Sequence, residues 1–299
     1  MSTYRGRFAP SPTGPLHLGS LLTAVASYLD ARAHHGKWLV RIDNIDPPRE
    51  MPGASSLILA TLEQHGFRWD ESVLYQSTRK SAYEEVLGHL EKSGLSYLCS
   101  CSRKLISQIA TIGMLGPIYP GTCRDAGIHL DGEQHSVRLK TDDTRVSFED
   151  RIQGQQQVAL NQEIGDFVIR RADGFYAYHL ATAVDDHYQG ITHVVRGRDL
   201  LENTFPQYFL QSKLNYPHPA YTHIPIVTLE DGTKLSKQSG AAPISSAHPQ
   251  KNIVQILNML GQKCPNELHT ESLDILWNWA IANWNSAAIP RSQNIPIFI

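Results

Sequence analysis

Two short stretches carry residue types suited to phosphate chemistry. The first is Pro10-Ser11-Pro12-Thr13-Gly14-Pro15-Leu16-His17-Leu18-Gly19-Ser20, directly after Gly6-Arg7-Phe8-Ala9. It reads as a strand, a proline-stiffened loop, a His-x-Gly step and the start of a helix. A helix N-terminus presents unpaired N–H groups and partial positive charge, both favourable to phosphate. Gly19 lets the backbone come close to a ligand, and the imidazole of His17 can donate to a phosphate oxygen. The second stretch is Lys234-Leu235-Ser236-Lys237-Gln238, a short turn with two lysines. Ammonium groups there would stabilise a departing pyrophosphate. Taken singly, the lysines describe a solvated loop and His17 a helix-capping histidine. Taken together, the two stretches point to a nucleoside triphosphate.

These residues need a scaffold. Leu18, Leu21, Leu22, Val25, Tyr28 and Leu29 recur at helical spacing up to Arg32, with Gly36 as the stop. Lys37–Ile42 reads as a strand, so the order strand, loop, helix, strand opens a parallel α/β unit. Helices are expected over 54–64, ended by Gly66, and over 78–92. From Cys99 to Cys123 the composition turns to Gly, Pro and Ser and reads as an insertion; 137–169 reads as a small β-rich region. Ala172-Asp173-Gly174-Phe175 is a hairpin turn. The sheet resumes at 192–197, a helix follows over 200–214 despite Pro206, and 224–227 is a further strand. Helical patterns return around 253–260 and 273–282.

The 299 residues carry a formal net charge of −2, which neither requires nor excludes a nucleic-acid partner. No stretch approaches the roughly 20 apolar residues of a membrane span, and no secretion signal opens the chain. The expected compartment is cytoplasmic, and nothing demands an oligomer, so a monomer is expected. Four cysteines occur, and Cys99, Cys101 and Cys123 cluster. Three soft ligands are one short of a closed zinc site, and spacing leaves zinc and three ordinary thiols equally open. His129 and His135 are further candidate ligands, and Cys264 reads as a core residue.

Arg7-Phe8-Ala9-Pro10-Ser11-Pro12-Thr13-Gly14-Pro15-Leu16-His17-Leu18-Gly19 resembles the HIGH motif of class I aminoacyl-tRNA synthetases in its glutamyl form, and Lys234–Gln238 resembles the KMSKS loop. Between them, Arg41-Ile42-Asp43-Asn44-Ile45-Asp46-Pro47-Pro48-Arg49 and Tyr178-His179-Leu180-Ala181-Thr182-Ala183-Val184-Asp185-Asp186 match in order and approximate spacing. The resemblance runs from about Tyr4 to Gln238. Ser20 in place of a second histidine, and only 61 residues after Gln238, resemble the branch's truncated glutamyl-Q subfamily.

What this implies is an α/β fold: a Rossmann-like catalytic domain with its first half at 1–98, a zinc-bearing, acceptor-end-like insertion at 99–170, a second half with the lysine loop at 171–240, and a short helical region at 241–299 without an anticodon-binding domain. It implies ATP-dependent activation of L-glutamate, with Mg2+ accompanying ATP, and transfer to the queuosine base in the anticodon of tRNA(Asp). The alternatives are a minimal glutamyl-tRNA synthetase charging a 3′ end, a non-catalytic synthetase-like tRNA-binding protein, and another nucleotidyltransferase of this fold. By resemblance, His17 and Lys237 are catalytic, and His17, Gly19, Ser20, Lys234 and Lys237 hold ATP. Arg7, Phe8, Ala9, Pro10, Ser11, Asp43, Tyr178 and Arg196 form the glutamate pocket, Arg7 by a two-pronged contact and Asp43 facing the ammonium. Asp43 stands where the family commonly has Glu, and His179 where it commonly has an amide. The subfamily completes its zinc site with a tyrosine oxygen four residues before the last cysteine, where Tyr119 stands beside Cys99, Cys101 and Cys123. Asp185-Asp186 reads as a helix-end pair shaping the pocket rather than as a Mg2+ site.

Overall fold

Strand Arg5–Phe8 pairs in parallel with Lys37–Ile42, from Arg5 opposite Lys37 to Phe8 opposite Val40, and Lys37–Ile42 pairs in turn with Leu74–Tyr75. The structure is a computed structural model that describes residues 3–126, 135–235 and 242–297. On the other side of Arg5–Phe8 lies strand His193–Gly197. The two are tied by Thr192 N–H to Arg5 O at 3.0 Å and Arg5 N–H to Thr192 Oγ1 at 2.9 Å. His193–Gly197 pairs in parallel with Ala220–Ile224. Chain order therefore reverses at the first strand, which has its successors on one side and the late strands on the other. In such sheets the loops part beyond the strands' carboxyl ends and leave a crevice.

Helix Leu18–Ala33 connects the first two strands. Leu21, Leu22, Ala24, Val25, Ala26, Leu29 and Ala31 are all buried, more than one stripe requires. The reason is cover from two sides. The sheet lies beneath, and helices Pro249–Met259 and Leu273–Ala282 lie against the opposite face. The Tyr28 ring meets Trp38 edge-on at 5.1 Å, Phe67 at 5.3 Å and Trp277 at 4.9 Å, so the C-terminal helices share one core with the first helix.

A second, antiparallel sheet joins Ser96–Cys99, Ser136–Leu139 and Phe167–Arg170. The β-rich stretch expected over 137–169 does not stay together. Its middle strands, Arg145–Asp150 and Gly154–Ala159, form a hairpin that joins the parallel sheet where Tyr221 faces Asp150. The strand expected at 224–227 is two strands, Ala220–Ile224 and Ile226–Thr228, because Pro225 has no N–H to continue the ladder. The first helix is stopped by His35 at φ +53°, not by Gly36. Gly36 is required for another reason: a Cβ there would sit 2.5 Å from Tyr4 O. The helix near 200–214 spans Thr204–Lys213, with Pro206 in the first turn, where its missing N–H costs nothing. Among the described residues no helix is long and apolar enough to cross a membrane.

Candidate active site

A cavity of about 570 Å3 opens at the carboxyl ends of Arg5–Phe8 and His193–Gly197. Arg7, Phe8, Ala9, Pro10, Ser11, His17, Gly19, Ser20, Tyr178, Arg196, Lys234 and Leu235 line it. Stretches separated by more than 200 residues thus meet in one place. The lysine turn is seated by Leu235 N–H donating to Val227 O at 2.9 Å, and Ile244 N–H reaches Leu16 O at 2.9 Å behind the helix start. Lys234 Nζ lies 2.5 Å from Asp199 Oδ2. Ser236, Lys237 and Gln238 lie outside the described residues.

His17 is the N-cap of the first helix. Its Nδ1 accepts from Ser20 N–H at 3.4 Å. Capping and ligand binding are compatible, because an accepting Nδ1 leaves the proton on Nε2. The ring is packed tightly: a Cβ on Gly19 would sit 3.2 Å from His17 Cε1. Gly19 is thus fixed by the imidazole as well as by any ligand.

Asp43 does not line this cavity. It lines a neighbouring one of about 790 Å3, which shares Ser11, Thr13 and Tyr178 with the first and extends to Cys101. Behind both runs a buried charge network. Arg41 Nε donates to Asp43 Oδ1 at 2.7 Å and Arg41 Nη1 to Asp186 Oδ1 at 2.7 Å. Arg7 Nε and Nη2 donate to the two oxygens of Asp186 at 3.1 and 3.4 Å. Asp186 therefore occupies the two-pronged face expected to grip substrate, and Nη1 of Arg7 makes no hydrogen bond among the described residues. Burial pushes the Asp43 carboxyl above its ordinary range, with Arg41 pulling back only in part. For Asp186, burial is outweighed by Arg7 and Arg41, which hold its carboxyl below that range.

The Asp185-Asp186 pair sits inside helix Tyr178–Tyr188, not at its end, and both residues are buried. Asp185 takes a different set of hydrogen-bond donors from Asp186. It accepts from Gln76 Nε2 at 3.0 Å, Arg79 Nε at 3.1 Å and Tyr83 OH at 2.5 Å. Both carboxylates are fully engaged by protein donors.

Arg196 is buried with a different set of partners. It donates through Nε to His223 Nε2 at 3.0 Å, through Nη1 to Gln207 Oε1 at 3.0 Å and Tyr178 OH at 3.3 Å, and through Nη2 to Thr204 Oγ1 at 2.8 Å. The sequence reading missed His223, Gln207 and Thr204. A signal existed for two of them: Thr204, Gln207 and Gln211 recur at helical spacing on a buried face where apolar residues belong. His223 escaped because its strand was placed too late in the chain.

Cys99, Cys101 and Cys123 come together, with their Sγ atoms all within 4.8 Å of one another. The Tyr119 hydroxyl lies 3.4 Å from both Cys99 Sγ and Cys101 Sγ and accepts from Cys123 N–H at 2.8 Å. Tetrahedral zinc with sulfur at about 2.3 Å places ligand sulfurs roughly 3.8 Å apart, which this donor set can meet. Burial works against the Cys123 thiolate, but hydrogen bonds with Tyr119, Ser100 and Cys101 hold its pKa down at about 6. Cys264 is buried elsewhere, and burial pushes its thiol up to about 11. His135 is not part of the cluster, and His129 lies outside the described residues.

The family model described as tRNA synthetases class I (E and Q), catalytic domain, matches residues 3–261. A Pseudomonas aeruginosa (strain LESB58) protein named glutamyl-Q tRNA(Asp) synthetase is 48% identical over 295 residues, 99% of this chain and 98% of that protein. A Neisseria meningitidis serogroup B (strain MC58) protein of the same name is 48% identical over 290 residues, 96% of this chain and 98% of that one. The crystal structure of a glutamate tRNA ligase from Elizabethkingia meningosepticum in complex with its amino acid superposes with a TM-score of 0.80 at 26% identity. That match covers 97% of this chain and 66% of the ligase, so the chain spans about two thirds of that structure's length. The motif blocks, the crevice they share and these matches agree: the chain belongs to the class I (E and Q) tRNA synthetases, within the family of the glutamyl-Q tRNA(Asp) synthetases.

Proposed function

We propose that the protein activates L-glutamate with ATP as glutamyl-adenylate and transfers the glutamate to the queuosine base in the anticodon of tRNA(Asp). The observation that carries this reading is the shared cavity, where a helix start, the lysine turn and two buried arginines face one space. In the proposed reaction a glutamate carboxylate oxygen attacks the α-phosphorus and pyrophosphate leaves. The helix start at His17, Gly19 and Ser20 holds phosphates, while Lys237, with Lys234 beside it, stabilises the leaving charge. ATP brings Mg2+ with it. Arg7 Nη1 and Arg196 meet the anionic groups of glutamate, and Tyr178, on the wall between the cavities, adds a hydroxyl. Asp43 meets the ammonium from the adjoining cavity. That larger cavity suits the RNA base.

Cys99, Cys101, Cys123 and Tyr119 would hold a structural zinc that fixes the inserted region beside the larger cavity. The protein acts as a cytoplasmic monomer in this reading. The likeness to a glutamate tRNA ligase favours a second reading, charging of a tRNA 3′ end. Glutamate-dependent pyrophosphate exchange without RNA tests the activation step. Labelling of tRNA(Asp) with and without queuosine separates the readings. Equal labelling of both, or label on the terminal adenosine, favours the second.

A further inference from the structure

Four arginines are buried around the two cavities, Arg7, Arg41, Arg138 and Arg196, and the first two are balanced by carboxylates. Arg7 pairs with Asp186, and Arg41 pairs with both Asp186 and Asp43. Arg196 is 3% exposed, as Arg7 is, yet its four partners are an imidazole, an amide, a phenol and a hydroxyl. No carboxylate among the described residues lies within ion-pair distance of it. A buried charge without a counter-ion is costly unless something else supplies one.

The imidazole is built to be neutral. His223 Nδ1 lies 2.6 Å from Asp150 Oδ2, so Nδ1 carries the proton and Nε2 keeps a lone pair for Arg196. Burial, reinforced by Arg196 and opposed by Asp150, pushes the imidazolium pKa down to about 4. Asp150 is itself fixed by backbone N–H groups of Ile152 at 3.0 Å, Gln153 at 2.9 Å and His223 at 3.0 Å. The Asp150 carboxylate is thus held one imidazole away.

We propose that His223 and Gln207 are positioning residues for an anionic substrate: they orient the Arg196 guanidinium through neutral acceptors only, so that its charge is left for a carboxylate entering the cavity. The inference rests on reading that cavity as the glutamate site. Direct pairing, as at Arg7, would aim the fork equally well but would leave less charge for the ligand.

Gln207→Glu is the informative variant. Among the described residues Gln207 Nε2 has no hydrogen-bond partner, so the exchange removes none of their bonds and adds a carboxylate about 3.0 Å from Arg196 Nη1. In pyrophosphate exchange the KM for glutamate is expected to rise about tenfold or more, the scale of one charge-assisted hydrogen bond. The KM for ATP should stay within about twofold and the melting temperature should not fall; a merely structural role for Gln207 would not give this split. His223→Ala gives a second arm. It should raise the glutamate KM about tenfold, with His223→Gln restoring it to within about threefold. An unchanged glutamate KM in folded Gln207→Glu and in His223→Ala, or an equal rise in both KM values, overturns the inference alone. A wild-type protein that exchanges with no amino acid overturns the cavity reading and the inference with it.

Discussion

Replacing Asp186 by Asn removes a carboxylate that joins the first strand, the second strand and helix Tyr178–Tyr188. Arg7, Arg41, Asp43 and Asp186 sum to zero charge, and each side chain is at most 5% exposed. Asp186→Asn leaves a net positive charge in that volume. The amide oxygen can accept from only part of the three arginine contacts, and the NH2 group then faces a guanidinium. Breaking a buried pair from one side costs about 3–5 kcal/mol, a large share of a total stability of about 5–15 kcal/mol. For a chain of this size that lowers the melting temperature by about 5–8 °C. The pH dependence has a definite sign. The folded-state pKa of Asp186 is depressed, so its stabilisation is complete above the unfolded carboxylate value of about 3.9 and is lost as pH falls through the folded value. The gap between wild type and Asp186→Asn should be full at neutral pH and narrow below about pH 4. Urea unfolding across this range measures it. A neutral-pH difference under about 1 kcal/mol, or a gap that widens toward acid, refutes the charge-balance argument.

Gly19→Ala should hold or raise the melting temperature, since alanine is the better helix former by about 1 kcal/mol, while displacing the His17 ring and raising the KM for ATP several-fold; an unchanged KM dismisses the ring's role. Protein purified without chelator should contain stoichiometric zinc by elemental analysis, Cys99→Ser should lose it and Tyr119→Phe should bind it more weakly; zinc-free wild type refutes the cluster's assignment. Lys237→Ala should slow pyrophosphate exchange about 10–100-fold with little change in the glutamate KM, and an unchanged rate removes its proposed role.

Local signals were read well where they are carried by the backbone. Proline and glycine spacing located the loop after the first strand, and apolar periodicity bounded the helices Ala54–Gln64 and Leu273–Ala282 to the residue. Family motifs then named most of the polar residues that line the smaller cavity, but not Thr23, Asp199 or the Pro225–Val227 wall. What stayed hidden was partnership across the sheet. Nothing in Arg7 or Asp186 taken singly says that they lie 3.1 Å apart across 179 residues. Asp43 and Arg196 were assigned to one pocket by resemblance, and Asp43 lines the adjoining cavity, which shares Ser11, Thr13 and Tyr178 with the one that Arg196 lines. Pro225 misled in the opposite way: it marked a junction between two strands and was read as lying within one.

Strand Asn294–Pro296 runs beside Ile226–Thr228, and Ile297 N–H donates to Thr228 O at 2.9 Å, six residues before Lys234 of the lysine turn. The tail is therefore the ledge from which that turn springs. Whatever firms the turn around a nucleotide must be felt in the ledge, and by reciprocity a loosened ledge weakens the grip. Slowed amide exchange at 294–297 would report on occupancy from a distance, and a bulky fusion at that end would blunt the active site without touching it.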